Sequence, residues 1–188
     1  MIKEHDLMTT GHIMMAMTLD GFVARKDHSL DWLMKQKTDG EDHGFAEFQR
    51  SVDVIVMGSG SFRTVLDFEQ WPYEKRVIVL SKTLDQRDIP STLAEKVEIS
   101  SLAPQALMSS LSARNFKRAY VDGGAVIQSF VKAGLICDMK ITIVPILIGE
   151  GIRIFGDLLH DIDLTLEGSK QFQSGLVDLT YSIQDRGT

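Results

Sequence analysis

The sequence predicts an α/β fold with three layers, in which a mostly parallel central sheet carries an antiparallel C-terminal hairpin. Short apolar runs alternate with segments of helical spacing through most of the 188 residues, and residues 163–183 alternate apolar and polar side chains around a Gln-Ser-Gly turn. Strands that alternate with helices form a parallel sheet covered on both faces, whereas a period of two around a tight turn is typical of an antiparallel hairpin. The length suits a single domain, 1–188, and we expect residues 1–10 to be flexible.

The first half of the chain supplies three apolar strands and two helices. Residues 12–19 (HIMMAMTL) are a continuous apolar run, which predicts a strand covered on both faces, and residues 45–52 (FAEFQRSV) have the spacing of a short amphipathic helix. A second strand is predicted at residues 53–58 (DVIVMG), followed by a Gly/Ser turn and a helix that begins with SFRTVL. Residues 76–81 (RVIVLS) are the third predicted strand.

The second half continues the alternation. Residues 96–100 (KVEIS) are a weak fourth strand, and residues 104–116 have helical spacing with a proline in the first turn, where proline is tolerated. The stretch AYVDGG leads from a strand into a helix over residues 125–133. Residues 138–149 are a further strand, in which Pro145 ends the regular pairing.

Composition excludes several classes of function. The net charge of -6 and the pI near 5.3 argue against a general affinity for nucleic acid or for anionic membranes, because both need a cationic surface. No apolar run approaches the roughly 20 residues that span a bilayer, and the first residues lack the apolar core of a signal peptide, so we expect a cytoplasmic protein. The single cysteine, Cys137, permits no internal disulfide and is expected to be buried, and the five histidines lack the spacing of a metal site.

Glycines stand where two of the predicted strands turn into helices. Gly123 and Gly124 follow one strand, and Gly58, Ser59 and Gly60 follow another. The N-terminus of a helix presents unpaired N–H groups that attract phosphate, and a turn without Cβ atoms lets a phosphate approach the backbone. Since ligands of open α/β sheets bind at the carboxyl ends of the strands, the two turns are able to hold the two ends of one dinucleotide. The alternative is that the glycines only make compact turns.

A third predicted strand ends in residues that suit the adenosine end of such a cofactor. Ser81, Lys82 and Thr83 follow it and would lie at the same edge of the sheet. Two hydroxyls and an ammonium fit an adenosine ribose or its 2′-phosphate, and the alternative is a solvated turn. The three turns together indicate a dinucleotide site.

The chain resembles the dihydrofolate reductase-like superfamily, in particular the reductase domain of bifunctional riboflavin biosynthesis proteins and its stand-alone relatives. The resemblance runs from about Gly11 to Ile183 and rests on MAMTLDGFVA, DVIVMGSGSF, VIVLSKTL and YVDGGAVIQSFVKAGLICDMKITIVPILIGEGIRIF. It implies an NADPH-dependent reductase whose chain folds around a mixed sheet of about eight strands. It also implies a homodimer. The residues that it implies for cofactor binding are Gly58, Ser59, Gly60, Ser61, Ser81, Lys82, Thr83, Asp122, Gly123, Gly124 and Ala125.

The chain departs from the family pattern at Ser59, where many relatives carry a basic residue. Positive charge beside a 2′-phosphate would then come from Lys82, with help from Arg63 or Arg87. If the turn at Gly123 and Gly124, the second glycine turn along the chain, holds the pyrophosphate, Gly124→Val should abolish dinucleotide binding and leave the protein folded.

The segment MTLDGFVA matches a family segment at the mouth of the substrate pocket, which makes Asp20 the candidate catalytic residue. A carboxylate there can accept paired hydrogen bonds from a pyrimidine or pterin edge, and partial burial would raise its pKa so that it delivers a proton. The alternative is an ordinary turn capped by Asp20. Further candidates for substrate contact are Thr18, Trp32, Glu150 and Arg153, of which Trp32 suits the core as well.

A substrate of the riboflavin pathway carries a ribose phosphate and needs cations of its own. The candidates are Arg25, Lys26, Lys35 and Arg153, none of which has a compelling spacing. The predicted function is transfer of hydride from NADPH to a small heterocycle, of the aminouracil ribityl or ribosyl phosphate type or of the pterin type. Two alternatives stay open: a cofactor-binding protein without turnover, and a reductase of a non-pyrimidine carbonyl compound.

Overall fold

A computed structural model describes residues 8–183 of the chain, and this part contains ten strands and five α-helices. The strands are β1 (Thr10–Thr18), β2 (Phe22–Ala24), β3 (Val54–Gly58), β4 (Arg76–Leu80), β5 (Val97–Ser100), β6 (Arg118–Asp122), β7 (Ile136–Val144), β8 (Ile152–Arg153), β9 (Leu164–Gln171) and β10 (Val177–Ile183). The helices are α1 (Asp31–Met34), α2 (Phe45–Ser51), α3 (Ser59–Leu66), α4 (Pro104–Ala113) and α5 (Gly124–Lys132).

One mixed sheet organises the fold. Eight strands lie in the order β5-β4-β3-β6-β1-β7-β10-β9, and β2 pairs separately with β8. All neighbours from β5 to β7 are parallel, whereas β10 runs antiparallel to both β7 and β9. The predicted parallel sheet with an antiparallel C-terminal hairpin is confirmed, and β7 ends at Val144, directly before Pro145.

Helices cover both faces of this sheet, which confirms the predicted three layers. Successive residues of a strand belong to opposite faces. On β1, Ile13 packs into one core with α4 and α5, whereas Met14 packs into the other core with α3. On β6, Val121 and Tyr120 divide in the same way.

Three short elements had no signal in the sequence. β2, α1 and β8 contain three, four and two residues, which is too short for a hydrophobic period to appear. β2 and α1 follow β1 directly in the chain, and β8 is brought beside them because it pairs with β2. No helix within residues 8–183 is long and apolar enough to cross a membrane.

Two smaller expectations need correction. Cys137 is exposed, because it follows the buried Ile136 on β7 and therefore points to the opposite face. Thr9 and Thr10 do not fit the expected flexible segment, since Thr9 is buried and donates a hydrogen bond to the carbonyl oxygen of Phe116 (2.8 Å), and Thr10 begins β1. The rest of that expectation, for residues 1–7, lies outside the described residues.

Candidate active site

Three turns that follow parallel strands meet at one edge of the sheet. β3 and β6 are neighbours, so the turns at Gly58 and Gly123 lie side by side. β4 lies on the other side of β3, with Leu80 opposite Gly58, and residues 81–83 follow it. A cavity of about 600 Å³ opens beside the first two turns. Of the residues predicted to hold the cofactor, it is lined by Gly58, Gly60, Ser61, Asp122, Gly123, Gly124 and Ala125.

Each glycine of the second turn has its own structural reason. Gly123 has a φ of 88°, which a side chain rarely adopts, and a Cβ there would overlap the hydroxyl of Ser61. A Cβ on Gly124 would lie 2.6 Å from the carbonyl oxygen of Arg153 and 2.7 Å from Cγ2 of Ile152, both in β8. Because the backbone of β8 would have to move to admit a side chain, we expect Gly124→Val to lower the stability of the fold as well as dinucleotide binding.

Asp122, the last residue of β6, places a buried carboxyl group in the cavity wall. It is 9% exposed, and its Oδ1 lies 3.1 Å from the hydroxyl of Tyr120. Burial raises the pKa of Asp122 above its ordinary value, against the hydrogen bonds from Tyr120, Ser61 and the N–H group of Gly123. A raised pKa favours the neutral acid, which repels a neighbouring phosphate less than a carboxylate does.

The other four residues predicted to meet the cofactor do not line this cavity. Ser59 is the first residue of α3. Ser81 Oγ accepts hydrogen bonds from the N–H groups of Thr83 (3.1 Å) and Leu84 (3.0 Å). The serine hydroxyl therefore closes the turn that carries Lys82, whose side chain is exposed.

The two arginines expected to assist at a 2′-phosphate differ in their surroundings. Arg87 is held by Asp85, with 2.6 Å between Nη2 and Oδ2, whereas Arg63 lines a second cavity of about 470 Å³. This cavity adjoins the first one and shares six lining residues with it: His28, Leu30, Met34, Gly60, Thr64 and Phe68. A Cβ on Gly60 would meet the ring of His28, so the histidine covers the first glycine turn. The sequence has no signal for His28, because a loop with a φ of 69° at this residue places it there.

Asp20 holds a loop and does not line the cavity. Its Oδ2 accepts hydrogen bonds from the N–H groups of Ile148 (3.0 Å) and Gly149 (2.8 Å), and its Oδ1 accepts one from the hydroxyl of Thr18 (2.5 Å). The Thr18 bond lowers the pKa of Asp20 below its ordinary value; burial opposes this effect, and the two N–H groups add to it. The expected raised pKa is therefore wrong, and the geometry makes Asp20 a positioning residue for the loop that follows β7.

Two of the predicted substrate contacts are buried in the fold. Thr18 is 0% exposed, and its hydroxyl oxygen accepts a hydrogen bond from the N–H group of Phe22 (3.0 Å). Trp32 is also 0% exposed and packs in a small core with Val144 and Leu176. Neither residue lines the cavity, so the structure gives both a structural role.

The other two predicted contacts are exposed and engaged at the surface. The carboxylate of Glu150 accepts a hydrogen bond from the ammonium of Lys26 (2.5 Å). The guanidinium of Arg153 lies over the ring of Phe22, 4.7 Å from its centroid. Neither Glu150 nor Arg153 lines the cavity.

Most of the cavity wall comes from residues that the sequence did not single out. Met34 of α1, Phe45 of α2 and Phe68 after α3 line it with side chains that are 75, 41 and 44% exposed. The sheet contributes Met14 and Thr142. No period or motif marks these positions, because they come from separate elements that only the tertiary fold brings together.

His43 is a further lining residue, and a buried carboxylate fixes its ring. Its Nδ1 donates to Oδ1 of Asp178 (2.9 Å), which also accepts a hydrogen bond from the hydroxyl of Thr142 (2.7 Å). The ammonium of Lys140 lies 3.1 Å from Oδ2 and also donates to the carbonyl oxygen of His43. Burial works against ionisation of Asp178, which is 3% exposed, yet these donors outweigh burial and hold its pKa below the ordinary value. β7 and β10 thus anchor the loop before α2.

The sequence matches a known family over most of its length. The RibD C-terminal domain family matches residues 10–177. The uncharacterized protein YwjB of Bacillus subtilis (strain 168) is 30% identical over 160 residues, which cover 84% of this chain and 88% of that protein. The riboflavin biosynthesis protein RibD of Corynebacterium ammoniagenes is 26% identical over 165 residues, which cover 82% of this chain and 47% of that longer protein.

Solved structures share the fold. A protein of Shewanella sp. PV-4, whose name links it to riboflavin biosynthesis, superimposes with a TM-score of 0.87 at 34% identity, over 94% of this chain and 100% of that chain. A diaminohydroxyphosphoribosylaminopyrimidine deaminase/5-amino-6-(5-phosphoribosylamino)uracil reductase of Thermotoga maritima superimposes with a TM-score of 0.66 at 14% identity, over 94% of this chain and 57% of that chain. The second likeness is one of fold alone.

Proposed function

Because the chain belongs to the RibD C-terminal domain family, we propose that it is an NADPH-dependent reductase of a small heterocyclic or carbonyl compound. The observation that carries the proposal is the pair of glycine turns on neighbouring parallel strands, beside a cavity of about 600 Å³. Ligands of open α/β sheets bind at this edge, and small-molecule sites have volumes of roughly 300–1,000 Å³.

The residues of the two turns suit a dinucleotide phosphate. α5 begins at Gly124 in the cavity wall, so its first N–H groups and its dipole favour an anion there. Gly58 and Gly60 leave the neighbouring turn without Cβ atoms, and His28 covers it from the solvent side. Lys82, at the same edge, would supply the positive charge for a 2′-phosphate. NADPH, when bound, supplies the hydride.

The chain's own contribution is placement of the reactants and control of one proton. A substrate that accepts hydride at a C=N or C=O carbon also needs a proton on the neighbouring atom. Asp122 is the lining acid whose pKa is raised, so it replaces Asp20 as our candidate for holding that proton. The apolar side chains around the cavity limit water, and most of the rate gain would come from holding the two reacting centres together.

The first test is a calorimetric titration of the pure protein with NADPH, with NADH beside it. We expect tighter binding of NADPH, because Lys82 would pair with the 2′-phosphate that NADH lacks. Lys82→Ala should then bring the two affinities together. Absence of binding of either nucleotide would overturn the proposed function.

Ala125 offers a test of the pyrophosphate position that leaves the fold intact. It is exposed, lines the cavity and stands in the first turn of α5, where a glutamate complements the helix dipole. We expect Ala125→Glu to weaken NADPH binding about tenfold or more, equivalent to roughly 1.4 kcal/mol, because its charge opposes the pyrophosphate. Ala125→Gln, of the same size without the charge, is the control and should bind like the parent. Equal affinity of the parent and the glutamate variant would refute this placement.

Two further expectations need separate measurements. Loss of NADPH absorbance with an added substrate distinguishes a reductase from a cofactor-binding protein without turnover. The homodimer implied by the family resemblance stays a prediction, and sedimentation equilibrium of the pure chain tests it.

A further inference from the structure

The cavity wall lacks the cations that a phosphorylated substrate would need. Among the residues described, 8–183, no lysine or arginine lines it, and its basic side chains are His28 and His43. His28 lies over Gly60 and so belongs to the predicted cofactor turn. His43 donates its Nδ1 proton to Asp178, whose negative charge also neutralises the nearby ammonium of Lys140.

The cations expected from the sequence to hold a substrate phosphate are engaged elsewhere. Arg25 donates to both carboxylate oxygens of Asp31, at 2.5 and 3.0 Å. Lys26 is paired with a carboxylate, and Arg153 lies over an aromatic ring. Lys35 is exposed and does not line the cavity. None of the four is therefore in position to neutralise a phosphate in this cavity.

The same wall presents apolar side chains to solvent. Met34, Phe45 and Phe68 are all exposed large apolar residues, and all three line this cavity. Apolar side chains gathered around one opening are typical of a ligand-binding surface. A bound compound with an apolar face would remove them from water, whereas a phosphate dianion would lose its hydration without gaining a cation.

We propose that the substrate is an uncharged carbonyl or imine compound with an apolar face, lacking the ribose phosphate of riboflavin-pathway intermediates. This inference rests on the proposed reductase function and names the substrate class of that site. We assign the binding of phosphate to the cofactor turns, with Arg63 in the adjoining cavity on the cofactor side beside His28 and Gly60. The substrate contacts come from the apolar rim and from the polar groups of Thr142 and His43.

The test compares two aminouracils that carry the same sugar with and without its 5′-phosphate. Binding of each to the NADPH-saturated protein is measured by calorimetry, and NADPH oxidation is followed with both and with a panel of uncharged aromatic aldehydes and ketones. We expect the phosphate to give no gain in affinity, and the uncharged compounds to support the faster oxidation. Failure of both aminouracils to bind also supports the inference, because a phosphate site would retain the phosphorylated one. Binding of the phosphorylated compound ten times tighter than its partner would overturn the inference.

A cation introduced at the rim gives a matched positive control. Met34 is 75% exposed, so an arginine there fits without repacking. We expect Met34→Arg to bind the phosphorylated aminouracil at least about tenfold more tightly than the parent does, a gain of roughly 1.4 kcal/mol, while Met34→Gln gives no gain. Where the parent does bind the phosphorylated aminouracil, no gain from the arginine would also overturn the inference, since the compound would then bind elsewhere.

These results separate the two proposals. If NADPH fails to bind, or binds and is not oxidised with any compound, the reductase function is refuted, whatever the phosphate does. If NADPH is oxidised best with the phosphorylated aminouracil, the reductase function stands and the substrate class is wrong.

Discussion

Asp178→Asn tests whether a single buried carboxylate anchors the loop that carries His43. Asp178 is 3% exposed and accepts hydrogen bonds from Thr142 (2.7 Å) and His43 (2.9 Å), with Lys140 at 3.1 Å. Asparagine keeps one oxygen for the first two donors but places an amide group against the ammonium. The interaction that asparagine loses is the 3.1 Å ion pair between Lys140 and Oδ2, and a polar interaction with a charged group contributes roughly 1.5–3 kcal/mol. Because the Lys140 side chain is 27% exposed and keeps part of its hydration, we expect about 2 kcal/mol of lost stability, near the low end of that range.

The pH dependence of this loss has a definite sign. The pKa of Asp178 is lower in the folded protein than in the unfolded chain, so its ionised form stabilises the fold. That stabilisation is complete above the ordinary aspartate value of about 3.9 and is lost as the pH falls through the lowered folded value. The difference in stability between the parent and Asp178→Asn should therefore be full at neutral pH and shrink below about pH 4.

The assay is urea unfolding followed by circular dichroism, at neutral pH and at about pH 3. In a separate thermal unfolding experiment at neutral pH, a loss of about 2 kcal/mol would lower the melting temperature of a chain of this size by about 4–8 °C. Glu150→Gln is the control, because it removes a carboxylate from an exposed pair with Lys26, and exposed pairs contribute little. A parent-like stability of Asp178→Asn, or a loss of equal size at both pH values, would refute the role given to this carboxylate.

Two other predictions concern β6 and the turn that follows it. Asp122→Asn should keep the fold and NADPH binding but lower kcat about 10²–10⁴-fold, the usual contribution of a general acid, as measured by NADPH oxidation; an unchanged kcat would remove Asp122 from the mechanism. Gly124→Ala should cost about 1–3 kcal/mol in urea unfolding, because its Cβ would lie 2.6 Å from the carbonyl oxygen of Arg153. Gly168→Ala, where a Cβ meets nothing within 4 Å, should stay within about 0.5 kcal/mol of the parent, and equal losses in both would contradict the packing argument.

The parts of the fold that the sequence predicted are those governed by long patterns. The apolar runs at β1, β3 and β4 and the helical spacing of α4 and α5 each extend over at least five residues, which is enough for a period to appear. The glycine turns were predicted for the same reason, since each follows such a strand. α1, β2 and β8 contain four, three and two residues, too few for a period to repeat, and carry no comparable signal.

The errors at the site have a common physical cause. A carboxylate in a turn has the same appearance in a sequence whether it faces a ligand or a backbone. Asp20 was expected to meet substrate, but its hydrogen bonds to the N–H groups of Ile148 and Gly149 cross 128 and 129 positions of the chain. His43, which lines the cavity, and Asp178, which fixes its ring, are 135 positions apart, and no local spacing links them. Contacts of that separation arise from the sheet order and are invisible to local spacing.

One part of the candidate site is formed by backbone groups and the other by side chains, and this difference bears on which substrate is bound. The proposed cofactor end would use backbone groups at the ends of β3 and β6, whose positions follow from the parallel sheet itself. The rest of the cavity uses side chains such as Met34 and Phe45, from short elements joined by a loop that Asp178 anchors through His43. Side chains on these short helices and on the loop between them can be replaced without moving the strands that carry the glycine turns. Family membership therefore supports the proposed cofactor more than it supports a phosphorylated pyrimidine, because the lining residues Met34, Phe45 and His43 lie outside the stretches that carry the resemblance.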